Sequence, residues 1–240
     1  MENKTFSIND KHMNLLDKSL TKDQVKEMCN QQGADLVGIA SADSFKEAPE
    51  GVHPKDVLST CESVIVLCCE FPKDSVNGDP VAYTFVRNQM TDKMNNLAKV
   101  ISKEIKAMGY DSRAVTSIAS SWINGRNRGT ISLKHAGVLA GLGKIGKNTL
   151  LVNEKYGNMV WLSAVLTSIP LESDSVAEYN TCKATCSLCI DNCPSRALGG
   201  ELMNQRACSS YAFKRDTGVL EIQCWKCRQI CPNHLGKANR

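Results

Sequence analysis

Eight of the twelve cysteines lie in the last quarter of this 240-residue chain, and their spacing constrains the fold more than any other feature. Two C-x2-C pairs are each followed, after three further residues, by a Cys-Pro dipeptide. The C-x2-C-x3-C-P pattern is typical of ferredoxins, in which the last cysteine of one run ligates the other cluster. The array therefore predicts two [4Fe–4S] clusters and a role in electron transfer. Its members are Cys182, Cys186, Cys189, Cys193, Cys208, Cys224, Cys227 and Cys231.

The same crossover rule divides these cysteines into two sets of four. The first set is predicted to be Cys182, Cys186, Cys189 and Cys231, and the second Cys193, Cys208, Cys224 and Cys227. One position departs from the ferredoxin pattern, because three residues rather than two separate Cys182 from Cys186. The ligand role of Cys182 therefore has the weakest support from spacing.

Two other uses of these cysteines stay open at the level of sequence. Four-cysteine zinc sites also use C-x2-C pairs, although zinc does not require a proline after each triad. Disulfides are favoured in oxidising compartments, and no apolar leader precedes the chain. Outside the array, Cys29, Cys61, Cys68 and Cys69 fall in apolar or helical segments, where cysteine is usually a small buried hydrophobe.

Length and composition predict one substantial core followed by a small cysteine-rich module. Hydrophobic residues make up 42% of the chain and no long apolar run occurs, so we expect a cytoplasmic protein that does not enter a membrane. The net charge of +4 is too small to indicate nucleic-acid binding by itself. We place the larger domain at 1–172 and the cysteine-rich domain at 173–240.

Hydrophobic periodicity predicts alternating helices and strands in the larger domain. Thr21 and Gln24 form a capping-box pattern at the start of a helix. The run at 63–69 is continuously apolar and β-branched, which is typical of a central strand buried on both faces. Apolar residues at three- and four-residue intervals predict a long helix that ends at Gly109. The predicted helices are 22–32 and 90–108, and the predicted strands are 36–40, 63–69, 111–119 and 158–167.

A glycine-rich loop follows, with Gly141, Gly143 and Gly146 ahead of Lys147 and Asn148. Glycines allow close backbone approach, and the loop lies in a stretch, 112–153, that contains basic residues but no Asp or Glu. Its spacing fits neither a phosphate-binding Walker loop nor a dinucleotide fingerprint. The pattern predicts a site for an anionic ligand, although a tight turn beside a solvated basic face would also account for it.

The loop and the cysteine array together resemble the epoxyqueuosine reductase family, which is itself similar to the reductive dehalogenases. The resemblance rests on the order of five segments: Gly141 to Leu151, Tyr156 to Gly157, Ala164 to Thr167, Cys186 to Pro194 and Cys208 to Tyr211. It implies an α+β fold with a nitroreductase-like α/β domain for cobalamin, followed by a ferredoxin-like domain with two [4Fe–4S] clusters. The residues that it implies for cobalamin binding are Gly141, Leu142, Gly143, Ile145, Gly146, Lys147, Asn148 and Ser210.

The sequence also departs from that family. Members that act on tRNA have an aspartate proton donor upstream of the glycine loop and helical repeats after the clusters. Here Asn127 lies where an acid is expected, and the chain ends nine residues after Cys231. Lys144 replaces an aromatic residue within the glycine motif. We therefore expect a small-molecule substrate, and we do not expect tRNA as a partner.

These patterns favour a cobalamin-dependent iron–sulfur reductase that receives electrons from a low-potential donor of the ferredoxin or flavodoxin type. A ferredoxin-type protein that reduces a flavin or a partner's corrinoid is one alternative, and a corrinoid-handling protein without turnover is another. Reductive cleavage also needs a proton donor. His135, Tyr83 and Tyr211 are the candidates, although His135 falls in a helical segment and buried tyrosines commonly serve packing.

Overall fold

The computed structural model describes residues 20–118, 120–123, 126–216 and 219–237. Within these ranges the chain forms seven α-helices and ten short or medium strands. The helices are α1 (Lys22–Gln31), α2 (Pro54–Val57), α3 (Pro80–Ala107), α4 (Leu133–Leu139), α5 (Leu188–Asp191), α6 (Gln205–Ala212) and α7 (Lys226–Gln229). The strands are β1 (Leu36–Ser41), β2 (Ser63–Glu70), β3 (Ser112–Val115), β4 (Ser120–Ile123), β5 (Arg126–Gly129), β6 (Lys144–Ile145), β7 (Leu151–Val152), β8 (Val160–Thr167), β9 (Phe213–Asp216) and β10 (Val219–Ile222).

A four-stranded antiparallel sheet in the order β1-β2-β8-β3 forms the centre of the molecule. Seven of the eight residues of β2 are buried, which confirms the prediction of a central strand covered on both faces. Side chains alternate along a strand. Ile65 and Leu67 therefore pack with α1 and α3 on one face, whereas Val64 and Val66 pack with α4 on the other.

The predicted capping box is present at the start of α1. The Thr21 side chain accepts from the backbone N–H of Gln24, and the Gln24 side chain accepts from the backbone N–H of Thr21. Val25 and Cys29 form the buried face of the helix. The four cysteines outside the array, Cys29, Cys61, Cys68 and Cys69, are all fully buried in the two core clusters, as predicted.

Two predicted boundaries were wrong, and local hydrogen bonding explains both. Helix α3 begins at Pro80 rather than near Met90, because Asp79 accepts from the backbone N–H of Ala82 and Pro80 occupies the first helical position. Strand β3 ends at Val115 rather than near 119. Beyond it, the backbone N–H of Ser117 donates to the side chain of Asn95 on α3 instead of continuing the sheet.

The cysteine-rich segment packs directly on the larger core. Trp225 stacks on Tyr83 of α3, with ring centroids 4.1 Å apart, and its indole N–H donates to the backbone oxygen of Val76. Ahead of the cysteines, Asp174 accepts from the backbone N–H of Ile39 in β1 and from Lys26 in α1. These contacts hold the cysteine-rich segment and the residues ahead of it against α3, β1 and α1.

Candidate functional site

Four cysteines of the array enclose a small cavity of about 40 Å³. They are Cys193, Cys208, Cys224 and Cys227, which form the second predicted set. Burial raises the pKa of the Cys208 thiol, and the negative charges of Cys224 and Cys193 raise it further. The four side chains thus point toward one space, which is the arrangement that a cluster bound through four thiolates requires.

The other four cysteines also lie close together. Burial raises the pKa of the Cys189 thiol, and the charges of Cys231, Cys182 and Cys186 raise it further. Cys182 thus lies within electrostatic reach of Cys189 despite its irregular spacing, and its role as a ligand stays a prediction. Because the pKa values of Cys189 and Cys208 are raised, these two thiols are protonated when no metal is bound, and binding of a cluster there would release protons.

Hydrogen bonds set the pKa of one of these thiols, and burial beside a cation sets that of another. Burial acts to raise the pKa of Cys193, but hydrogen bonds from the Ser195 hydroxyl and from the Ala197 and Leu198 N–H groups lower it overall. For Cys227, burial raises the pKa to about 11 although the adjacent Arg228 cation lowers it. In the part of the chain that the structure describes, no group of three His, Cys, Asp or Glu residues is arranged around a single metal ion. The thiols of a four-iron cluster lie around a larger body than one ion, so the two observations are compatible.

The glycine-rich loop contacts the cysteine segments rather than an open space. The Lys147 ammonium donates to the backbone oxygens of Ala184 and Cys186 at 2.8 and 2.7 Å, and it lies 3.5 Å from that of Lys183. The buried amide of Asn148 donates to the backbone oxygen of Cys227 at 3.2 Å. The loop therefore links the two cysteine-bearing segments to the larger domain.

The glycines of this loop are required by close packing of backbone. A Cβ at Gly141, which has φ +72°, would lie 2.3 Å from the backbone oxygen of Ser175. A Cβ at Gly143 would lie 2.4 Å from the backbone oxygen of Val152. Either contact is too short for a real side chain. The space that these glycines leave is thus filled by the protein itself.

A large cavity of about 930 Å³ lies beside the cysteine module, at the upper end of the range for ligand sites. Its walls come from β5, from α4, from β8 and from the segment after β1. Apolar residues make up about half of the lining, and they include Phe45, Ile131, Leu139, Val160 and Leu162. The polar residues of the lining include Arg126, Asn127, Arg128, Lys134, His135, Asn158 and Arg228. Among the described lining residues, Glu47 is the one carboxylic acid.

The predicted residues fall in different places relative to this cavity. His135 lines it, and its Nδ1 lies 2.6 Å from the hydroxyl of Ser132. Tyr83 is buried between Trp225 and Phe71, and Tyr211 borders the small cavity among the cysteines. None of the eight residues that the resemblance implied for cobalamin is among the described lining residues; Ser210 is exposed on α6. Their role in cobalamin binding stays a prediction.

Sequence reasoning missed the most buried polar groups of the cavity. Arg228, which follows Cys227, is 7% exposed, and Asn158 is completely buried. Asn127 pairs through its backbone N–H and C=O with the side-chain amide of Gln205 on α6. The signal that could have drawn attention to Arg228 is its position directly after Cys227, a predicted ligand.

Comparison with known proteins confirms the resemblance to epoxyqueuosine reductases. The Staphylococcus aureus epoxyqueuosine reductase is 26% identical in an alignment of 267 positions, gaps included, that covers 92% of this chain and 66% of that protein. The structure of epoxyqueuosine reductase from Streptococcus thermophilus aligns with a TM-score of 0.64 at 21% identity, over 91% of this chain and 67% of that one. No protein-family model matches the chain.

The fold is also that of a reductive dehalogenase. A structure reported to suggest a mechanism for B12-dependent dehalogenation aligns with a TM-score of 0.70 at 20% identity. It covers 90% of this chain and 32% of the dehalogenase. The chain therefore spans about two thirds or less of the length of these relatives. None of the helices in its described part has the length and apolar character needed to cross a lipid bilayer.

Proposed function

We propose that this chain is an iron–sulfur oxidoreductase in which two [4Fe–4S] clusters pass electrons to a corrinoid, for reduction of a small anionic substrate. One observation carries the proposal. The four cysteines of the second set enclose one cavity, and the residue directly after Cys227 lines the neighbouring cavity of about 930 Å³. A cluster bound at the small cavity would thus lie next to a ligand bound in the large cavity, because Cys227 borders the small cavity and Arg228 borders the large one.

The residues present fit both kinds of cofactor. Two groups of four thiols supply the ligands that two cubane clusters need, with Cys182, Cys186, Cys189 and Cys231 at one and the second set at the other. The large cavity offers apolar walls and a cationic lining, and a structural neighbour is described in connection with B12. When bound, the clusters would supply single electrons at low potential and the corrinoid a metal that such electrons can reduce.

The chain itself contributes position and exclusion of water. Lys147 and Asn148 hold the cysteine segments against the larger domain through backbone oxygens. Apolar residues of β8 and α4 would exclude water from part of the cavity wall, where electrostatic interactions are then stronger. Arg228, which directly follows Cys227 of the second set, lines the cavity as a buried cation.

Anaerobic purification followed by iron and sulfide analysis tests the cluster assignment. We expect about eight iron atoms per chain, in line with two cubane clusters. Cys208→Ser should lose the second cluster and keep about four iron atoms. Cys29→Ala is the matched control, because Cys29 is buried in the core away from the array and its replacement should leave the iron content unchanged.

A cobalamin titration of the same protein, followed by absorbance, tests the corrinoid assignment. Retention of cobalamin after gel filtration, with a changed spectrum, is the expected result. Zinc at the cysteines, or about four iron atoms or fewer in the native chain, would contradict the two-cluster assignment. Two clusters without cobalamin binding would instead indicate a ferredoxin-type electron-transfer protein.

A further inference from the structure

Arg228 is a buried cation that has no carboxylate partner in the described part of the chain. It is 7% exposed and takes part in none of the ion pairs seen there. Its guanidinium lies over the rings of Phe71 and Trp161, 5.2 and 5.9 Å from their centroids. Burial of a charge is costly unless an opposite charge compensates it. The opposite charge next to Arg228 is the thiolate of Cys227, whose pKa burial raises and Arg228 lowers.

Lys134 brings a second cation to the same set of cysteines from a different element, α4. Its ammonium donates to the backbone oxygen of Thr149 at 2.6 Å, which fixes its position. Burial lowers the pKa of Lys134, the thiolates of Cys227 and Cys208 raise it, and the charge of Arg228 lowers it. Two cations, one from α4 and one from α7, therefore act on the second set of cysteines.

The first set of cysteines has no equivalent pair of buried cations among the described residues. The charges that shift the pKa values of the Cys189 and Cys231 thiols are those of other thiols in the same set. Lys147 donates to the backbone oxygen of Cys186, but this lysine is exposed and solvent screens its charge. Hydrogen bonds do not separate the sets, because they reach Cys231 of the first as well as Cys193 of the second. Buried cationic charge is thus what distinguishes the two predicted cluster sites.

Cationic charge near an iron–sulfur cluster favours the reduced form of the cluster. A [4Fe–4S] cluster on four thiolates is negatively charged, and reduction adds one further negative charge. A nearby cation therefore attracts the reduced cluster more strongly than the oxidised one. The difference is largest where the cation is buried, because the local dielectric constant is low there.

We propose that Arg228 and Lys134 raise the reduction potential of the cluster at the second set above that of the cluster at the first set. An electron from a low-potential donor would then pass from the first cluster, which is oxidised by one electron, to the second, which is reduced by one. It would come to lie beside the large cavity, because Cys227 borders the small cavity and Arg228 the large one. Both cations are positioning residues, which act on electron transfer through the cluster. The inference rests on the proposed function for its two clusters, and it requires neither the corrinoid nor a substrate.

A redox titration of the anaerobically purified chain, followed by electron paramagnetic resonance, tests this inference. The Cys208→Ser variant should keep the first cluster alone, and it therefore identifies the signal of that cluster. In the native chain, the second cluster should have the higher midpoint potential. Arg228→Gln should weaken reduction of the second cluster about tenfold, which is about 59 mV for one electron, and leave the first cluster unchanged. Lys134→Gln should act in the same direction, and Arg228→Lys should restore most of the native potential.

Lys226→Gln is the matched control. Lys226 directly precedes Cys227, as Arg228 directly follows it, but Lys226 is exposed and solvent screens its charge. Its replacement should shift the potential of the second cluster much less than Arg228→Gln does. If Arg228→Gln does not fold, Lys134→Gln decides the question.

The inference is overturned if the second cluster has the lower potential in the native chain, or if neither Arg228→Gln nor Lys134→Gln lowers that potential. Equal shifts in Lys226→Gln and Arg228→Gln would also overturn it, because burial of the cation would then have no effect. None of these results contradicts a reductase with two clusters. A single cluster at the second set would instead contradict the proposed function, and the effect of Arg228→Gln on that cluster would still decide the role of the cation.

Discussion

Replacing Lys147 with glutamine separates two roles for the glycine-rich loop. The resemblance implies that the loop lines a corrinoid. In the structure, however, the Lys147 ammonium donates to backbone oxygens of the segment that carries Cys182 and Cys186. If the contacts seen here are the important ones, the substitution loosens that segment. The first cluster should then be lost more easily, and the large cavity should be unaffected.

The expected size follows from two well-formed hydrogen bonds of 2.7 and 2.8 Å. A hydrogen bond from a charged donor contributes roughly 1.5–3 kcal/mol when buried. Lys147 is exposed, so solvent screening reduces each bond to about 1 kcal/mol or less. A total of about 1–2 kcal/mol corresponds to a factor of roughly 5–30 in the rate at which a chelator removes the cluster.

The assay is the loss of visible cluster absorbance after an iron chelator is added under anaerobic conditions. Lys144→Gln is the matched control, because it removes the same charge from the same loop without removing these hydrogen bonds. Faster loss in Lys147→Gln alone, with cobalamin binding intact, is the predicted result. Cluster loss at the native rate together with weakened cobalamin binding would refute the reasoning and support a corrinoid-lining loop.

Three further predictions concern packing and protonation. Gly38→Ala should destabilise the protein in chemical denaturation by about 1–3 kcal/mol, because the new Cβ would lie 2.2 Å from the backbone oxygen of Ala140. Gly200→Ala is the control, since its Cβ would meet nothing closer than 3.4 Å and should change stability little. Equal effects of the two substitutions would contradict the packing argument. Tyr83→Phe should keep the native reduction rate and thermal midpoint, whereas Tyr83→Ala should lower the free energy of unfolding by about 3–5 kcal/mol because it removes the stack on Trp225. Loss of reduction in Tyr83→Phe at native stability would instead identify the hydroxyl as a proton donor. Burial and the adjacent Lys134 lower the pKa of His135, so this residue's contribution to stability is complete above its unfolded pKa of about 6.5 and is lost as pH falls below that value. Between neutral and mildly acidic pH, the thermal midpoint of His135→Gln should therefore fall less than that of the native chain. Parallel curves of thermal midpoint against pH would contradict the lowered pKa.

Local patterns predicted the larger domain well where one interaction dominates. The capping box at Thr21 and the buried run of β2 both depend on neighbours in sequence or on simple burial, and both are present. The start of α3 could have been predicted from Asp79 and Pro80, because an N-cap residue is followed there by proline at the first helical position. The end of β3 could not have been predicted from local sequence, because it depends on a hydrogen bond from the backbone N–H of Ser117 to Asn95 on α3.

The candidate site was predicted unevenly for a similar reason. Cysteine spacing carries its own geometry, so the residues that enclose the small cavity could be grouped from sequence. The large cavity is built by residues far apart in the chain, from Phe45 to Arg228, and no local motif joins them. Glycines in a loop also cannot reveal from sequence whether a ligand or the protein's own backbone comes close. At Gly141 and Gly143 it is backbone.

The central claim is that electrons pass from the cysteine-bound clusters to a corrinoid held beside them. Its most direct test mixes the anaerobically reduced protein with one equivalent of cobalamin and follows the clusters by electron paramagnetic resonance and the corrinoid by absorbance. The account predicts that the cluster signal disappears as the corrinoid spectrum changes, in matching amounts. Clusters that stay reduced beside an unchanged corrinoid would contradict it.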